Sequence, residues 1–221
     1  MKKKIALLSA AIVAFATTSI AQSAATSGRT TFGVRAGVNF QNLNGKDYFG
    51  NDLDNKLKVG FNAGVNAEIP VAPDFYLQPG VLFSTKGAKS KGSTETKVNI
   101  SYLEVPVNFI YKPMLGAGKL ILGVGPYVAF GVGGKVKSGS TDADIKFKNT
   151  VSPAEYTSGT PYFKRLDAGG NLLAGYEFSN KLSFQLNAQL GMLKINPKID
   201  GVDNKAKVRN TGFGVSAGYR F

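Results

Sequence analysis

Segments that alternate apolar with small or polar residues recur along the chain, their connections alternate between long and short, and the last segment ends on the aromatic Phe221. These three observations predict an all-β chain, an eight-stranded antiparallel up-and-down transmembrane β-barrel. Period two places successive side chains on opposite faces of a strand, and only a closed sheet satisfies every backbone group within a bilayer.

The N-terminus reads as an export signal. Met1, Lys2, Lys3 and Lys4 form a basic start, residues 5–15 are apolar but too short to span a bilayer as a helix, and Ser19, Ile20 and Ala21 offer a small-residue cleavage site. The predicted organisation is a secretory signal peptide over 1–21, a short periplasmic segment over 22–30 and one barrel domain over 31–221. About 200 residues after the signal fit a single domain.

The first strand spans 31–41, with Phe32, Val34, Ala36, Val38 and Phe40 on one face and Gly33, Arg35, Gly37, Asn39 and Gln41 on the other. Turn formers fill the loop to residue 55. The second strand, 57–69, sets Val59, Phe61, Ala63, Val65 and Ala67 against Gly60, Asn62, Gly64, Asn66 and Glu68. Pro70 to Asp74 then turn the chain, since proline cannot donate to a ladder. The third strand, 75–85, points Leu77, Val81 and Phe83 one way and Gln78 and Ser84 the other.

In the fourth strand, 98–111, the apolar parity switches between Tyr102 and Leu103, and this predicts a β-bulge near Tyr102. The fifth, 119–133, has Leu120, Leu122, Val124, Val128, Phe130 and Val132 opposite Gly123, Gly125, Tyr127, Gly131 and Gly133. The sixth is read over 162–178, the seventh over 182–193 and the eighth from Gly212 to Phe221. The short connections are 70–74, 113–118 and 179–181; the long ones are 42–56, 86–97, 135–161 and 196–207. That alternation predicts short periplasmic turns and long extracellular loops.

One face of these strands is apolar and the other is mostly Gly, Asn, Gln and Ser, with lysine concentrated in the loops. A soluble barrel would carry charge on its outer face, so the apolar face is expected to meet lipid. Phe75, Tyr111, Tyr162, Tyr176, Phe178, Tyr219 and Phe221 lie near strand ends, where an interfacial girdle is expected.

Formal net charge is +13, or +10 without the three signal-peptide lysines. The lysines are not interleaved with stacking aromatics, so no nucleic-acid partner is expected. Outer-membrane lipid and anionic lipopolysaccharide are the expected partners, with the barrel-assembly machinery engaging Tyr219 and Phe221 as the assembly signal of a monomer. The chain has no Cys and no His, which removes disulfides, thiolate metal sites and the usual Ser-His-Asp chemistry. Asp47, Asp52, Asp54 and Asn55 lack EF-hand spacing, and no cofactor, metal or catalytic residue is expected.

The lumen charges Arg35, Glu68, Glu104, Arg165, Asp167, Glu177 and Arg220 share inward parity. Arg35, Glu68, Glu177 and Arg220 are predicted to form a charge-balanced plug at the periplasmic end. Glu104 is predicted to pair with Arg165 across the glycines of the fifth strand, with Asp167 as second acceptor.

Tyr102-Leu103-Glu104-Val105-Pro106, Arg165-Leu166-Asp167-Ala168-Gly169, Gly175-Tyr176-Glu177-Phe178 and Gly218-Tyr219-Arg220-Phe221 resemble motifs of the Bacteroidetes outer-membrane β-barrel family, called PorT-like or porin family. The resemblance implies an eight-stranded barrel and no catalytic residues. The resulting expectation is a non-enzymatic outer-membrane protein with Lys-rich extracellular loops and a side-chain-filled lumen. Its alternatives are a narrow channel or ligand-binding barrel in the same membrane, and a secreted lipocalin-like binder.

Overall fold

The computed structural model of the protein describes residues 28–91 and 95–221. The signal-peptide reading over 1–21 lies outside them, as does most of the 22–30 segment. Eight long strands form the wall: β1 (Thr31–Lys46), β2 (Lys58–Ala72), β3 (Phe75–Ser90), β4 (Thr96–Tyr111), β5 (Gly118–Ser138), β6 (Leu166–Glu177), β7 (Leu182–Gly191) and β8 (Lys207–Arg220). Each pairs antiparallel with its sequence neighbours, and β8 returns to β1 in a ladder from Gly33 opposite Arg220 to Lys46 opposite Lys207. The result is a closed eight-stranded antiparallel barrel.

All three tight turns lie at one end. Asp74 and Lys181 adopt φ of 63° and 66° there, and Gly116 takes φ 62° in the third turn. The left-handed region is open to Gly and tolerated by Asp, whereas Lys181 enters it under the constraint of the tight β6–β7 turn.

The apolar face points outward. Phe32, Leu186, Phe61, Phe213, Val124 and Phe184 are all more than half exposed, while Asn39, Gln78, Ser84, Asn108, Asn171, Gln185 and Ser216 are buried inside. A water-soluble fold would pay heavily for an outer band of this kind; in lipid it is the solvated face. At the turn end Phe75 stacks on Tyr111 at 4.7 Å, Tyr176 meets Phe178 at 5.0 Å and Tyr219 meets Phe221 at 5.4 Å. Tyr162, expected in such a girdle, stands instead at the opposite end in the folded loops, because β6 begins at Leu166 and not at Tyr162.

The β4–β5 register shifts at Ser101 and Tyr102, where the bulge was expected. The extra residue is Val132 on β5, since Ser101 faces Gly133 and Tyr102 faces Gly131. Parity on β4 therefore never flips: Ile100, Tyr102 and Glu104 all point inward. The switch in apolar parity marks a change in what fills the lumen, from polar groups below Tyr102 to an apolar layer above it.

The long connections fold over the other end of the barrel. Residues 146–147 pair in parallel with Tyr162 and Phe163, and Thr150–Val151 pair in parallel with Lys198–Ile199. The Lys164 amide donates to the Ile195 carbonyl at 2.6 Å, and the Ile195 amide donates to the Val208 carbonyl at 2.9 Å. A short helix, α1 (Pro153–Thr157), begins with a reciprocal Ser152/Glu155 capping box. Leu43, Ala88, Ile100, Tyr102, Tyr127, Ala129, Ile145 and Ile195 then form one buried apolar plug under this cap.

Candidate functional site

Inside the barrel the charged side chains gather in two clusters, each with two cationic and two anionic members. Placement follows from strand register together with small residues on the intervening strand.

The upper cluster lies under the apolar plug. Glu104 on β4 and Asp167 on β6 both sit opposite Ala129 on β5. The small Ala129 side chain leaves a gap between the two carboxylates, and Lys86 from β3 fills it. Its Nζ is 2.9 Å from Glu104 Oε2 and 3.4 Å from Asp167 Oδ2, with all three side chains almost fully buried. Asp167 Oδ2 also accepts from Asn210 Nδ2 at 2.9 Å and from the Tyr127 hydroxyl at 3.3 Å. The Lys86 ammonium stands 4.1 Å from the centre of the Tyr127 ring. Low polarity strengthens each of these contacts and makes each member costly to remove. Arg35 completes the set, lining with Glu104, Asn39, Gln41, Asn62 and Ser84 a cavity of about 30 Å³. That is room for one or two water molecules.

Two expectations are corrected here. Arg165 does not reach Glu104: it precedes the first residue of β6, is exposed, and places its guanidinium 5.4 Å from the Phe130 ring and 5.1 Å from the Phe147 ring. Of the glycines expected to open a path for it, Gly131 instead makes room for Phe147, whose ring would lie 2.5 Å from a Cβ at that position. Arg35 belongs with the Glu104 cluster and takes no part in a plug at the turn end.

The lower cluster closes the turn end. Lys112 Nζ donates to Glu68 Oε2 at 2.9 Å and to Glu177 Oε2 at 2.7 Å. Arg220 Nη2 donates to Glu68 Oε1 at 2.7 Å, and its Nη1 donates to Asn66 Oδ1 at 2.7 Å. Here Gly33 is the small residue: it lies in register between Arg220 on β8 and Asn66 on β2. A Cβ on Gly33 would come within 3.0 Å of the guanidinium. Gln78 Nε2 donates to Glu68 Oε1 at 3.0 Å, so the buried carboxylate has a partner on several sides.

The lysines at the centre of both clusters lie outside the strands that the alternation delimits: Lys86 opens the 86–97 connection, and Lys112 stands between the strand ending at 111 and the 113–118 turn. The signal that locates them is parity: Lys86 continues the inward series Gln78, Leu82, Ser84 on β3, and Lys112 continues Asn108, Ile110 beyond β4. Lys86 sits between Glu104 and Asp167 and pairs with both. In the first loop the Asp47 carboxylate accepts from the Phe49 and Asn51 amides at 2.9 Å, Asp52 pairs with Lys46 and Asp54 with Lys91. Their oxygens do not converge, and among the described residues no group of acidic or sulfur ligands is placed to hold a metal ion.

Among solved structures, the chain is similar to Neisserial surface protein A at 15% identity, with 88% of this chain and 100% of that chain covered and a TM-score of 0.46. It is similar also to Ail, the attachment invasion locus protein of Yersinia pestis, at 14% identity, 88% and 100% coverage and a TM-score of 0.39. No curated protein matches it by sequence. A family model described as the outer membrane protein beta-barrel domain matches residues 20–195. With most of its length matched, the chain belongs to the outer membrane protein beta-barrel domain family.

Proposed function

We propose that this outer-membrane barrel is a non-enzymatic monomer of the PorT-like branch that presents Lys-rich loops at the cell surface and does not conduct. The observation that carries this reading is the filled interior: two ion-pair clusters and an apolar plug stand in series along one lumen. Eight strands enclose a space that side chains can fill, and here they do. The turn end, holding both the β8 terminus and the start of β1, faces the periplasm, and the folded loops face outward. Export uses a cleaved signal peptide over 1–21, and the barrel-assembly machinery reads Tyr219 and Phe221 at the end of β8.

The expected surface partner is lipopolysaccharide. Lys164, Lys194 and Lys198 come together where the two large loops join, and among the described residues no carboxylate forms an ion pair with any of them. Burial lowers the Lys164 ammonium from its ordinary value, and the nearby Lys198 and Lys194 lower it further. An anionic partner relieves that repulsion. Purified protein in planar bilayers is expected to show no steady conductance, and exchange of all three lysines for Gln is expected to weaken adsorption to lipopolysaccharide-containing vesicles at low salt. Stable single-channel steps from the wild type would instead favour the narrow-channel reading.

A further inference from the structure

Above the plug, the folded loops enclose a second and larger cavity of about 330 Å³. We propose that it is a binding site for one pyranose unit of an acidic glycan, a hexuronate in its simplest form.

The volume falls at the lower edge of the range for small-molecule sites, about 300–1,000 Å³. Its walls are aromatic: Tyr48 from the first loop, Tyr156 from α1, and Tyr162 and Phe163 from the segment before β6. The Tyr48 and Tyr156 rings lie 6.1 Å apart with 31° between their planes. That spacing is too narrow for a ligand ring to slip between them, which takes about twice a carbon contact distance of 3.5–4.0 Å. The pair therefore forms one continuous platform, and a pyranose presents to such a platform its face of weakly positive C–H groups.

The polar groups suit a hydroxylated ligand. The hydroxyls of Tyr48, Tyr156 and Tyr162 make no hydrogen bond among the described residues, and they are free to donate or accept. A lipid tail would leave them unmatched. Asn196 is already committed, its Oδ1 accepting from the Val208 amide at 2.9 Å and its Nδ2 donating to the Ala206 carbonyl at 3.3 Å. Its role is to hold the wall in place.

Charge selects among hydroxylated or aromatic-seeking ligands. An aromatic enclosure is also the usual receptor for quaternary ammonium groups. This one has cations in excess: Lys46 in its lining is paired with Asp52, and Lys148, 5.8 Å from the Tyr162 ring, with Glu155, while Lys198, Lys205 and Lys207, which flank the lining residues Pro197, Ala206 and Val208, form no ion pair among the described residues. The one acidic residue in the lining, Asp47, has its carboxylate turned onto the amides of its own turn. The local field favours an anion and disfavours choline.

The site is also preformed. The Asp47 turn fixes Tyr48, the capping box and the Lys148–Glu155 ion pair fix α1 under Tyr156, and the pairing of 162–163 with 146–147 fixes Tyr162 and Phe163. Preorganisation lowers the ordering cost of binding.

The test uses the full-length protein refolded in amine-oxide micelles, free of glycosidic detergent, with saturation-transfer NMR on methyl β-glucuronide, methyl β-glucoside and choline. Glucuronide is expected to bind at millimolar concentration, the glucoside more weakly and choline not at all. Tyr48→Ala and Tyr156→Ala are expected to weaken glucuronide binding about tenfold each, with unchanged heat-modifiable migration on gels. Tyr111→Ala, at the opposite end, is the control and leaves binding intact. Absence of glucuronide binding, binding that ignores both loop substitutions, any choline binding, or glucoside binding equal in affinity to glucuronide would overturn the proposal. Because the assay is in micelles, its failure is distinguishable from a finding of conductance, which would overturn the closed-barrel reading instead.

Discussion

Lys86 Nζ stands 2.9 Å from Glu104 Oε2, and neither side chain is open to solvent. Asp167 completes a bridge from β3 to β6 across the width of the lumen. Replacing Lys86 with Met leaves two buried carboxylates without their cation and is expected to cost about 3–5 kcal/mol. Urea unfolding of the refolded barrel measures this. Arg165→Ala, which removes only contacts to two ring faces, is expected to cost about 1 kcal/mol or less, and equal losses from the two variants would invert the assignment of the central cation.

The outer face makes a second prediction. Val215 on β8 lies between Val38 on β1 and Leu186 on β7 and is about half exposed to the surroundings of the barrel. Val215→Arg is expected to destabilise the membrane-inserted form by about 2–4 kcal/mol, measured by reversible unfolding in lipid vesicles. A negligible cost would mean that this face does not meet hydrocarbon.

The end of β8 is tied down by backbone and side chain together. The Phe221 amide donates to the Phe32 carbonyl at 2.8 Å, and Arg220 reaches Glu68 and Asn66. Deleting 219–221 removes the proposed assembly signal and the cation that crosses Gly33, and the truncated chain is expected to lose heat-modifiable migration. Arg220→Ala alone is expected to keep it, which separates targeting from stability.

Gly131→Leu tests the cap. The new side chain overlaps the Phe147 ring, and overpacking of this kind costs about 1–3 kcal/mol. Limited proteolysis is expected to cut the 139–165 connection faster in the variant while the barrel wall stays protected.

The cap also has a pH window. Lys148, through its hydrogen bond and ion pair, and the Ser152 amide hold the Glu155 carboxyl below its ordinary value, and Glu155 raises the Lys148 ammonium. A depressed carboxyl contributes fully above the unfolded value of about 4.3 and loses its contribution as pH falls through the folded value. A raised lysine contributes fully below about 10.4 and loses it as pH rises through its own folded value. The protection of the Ser152 and Glu155 amides, taken as exchange relative to an unstructured amide at the same pH, is expected to be greatest between these limits and to fall on acidification, and a flat acid profile would contradict the ion pair.

Strand parity is legible along most of the wall because one face must suit lipid and the other a crowded polar lumen; Phe213, Val215 and Asn210, Ser216 on β8 show it plainly, whereas on β4 the inward Ile100 and Tyr102 of the apolar plug mimic a lipid face. The idea that a small residue lets charges meet across an intervening strand was also legible. Its location was not. The sequence pointed to Gly123, Gly125 and Gly131, whereas the crossings occur at Ala129 and Gly33, positions that register alone identifies. Lys86 reads as a loop residue and Lys112 goes unassigned, since nothing local distinguishes a lysine beyond a strand end from one on a strand that continues past the membrane. The cap was illegible for a related reason: Phe147, Ile145 and Ile195 are isolated apolar residues in polar connections, and their burial depends on contacts between distant loops.

The outward apolar row of β5 ends at Val132, yet the strand runs on to Ser138. Six residues at about 3.3 Å each add roughly 20 Å of rigid, hydrogen-bonded wall beyond the hydrocarbon. β1, β3 and β4 continue in the same direction, so the wall becomes a pedestal. The loop platform with its tyrosines is therefore held at a distance from the outward apolar band by paired strands, not by flexible connections.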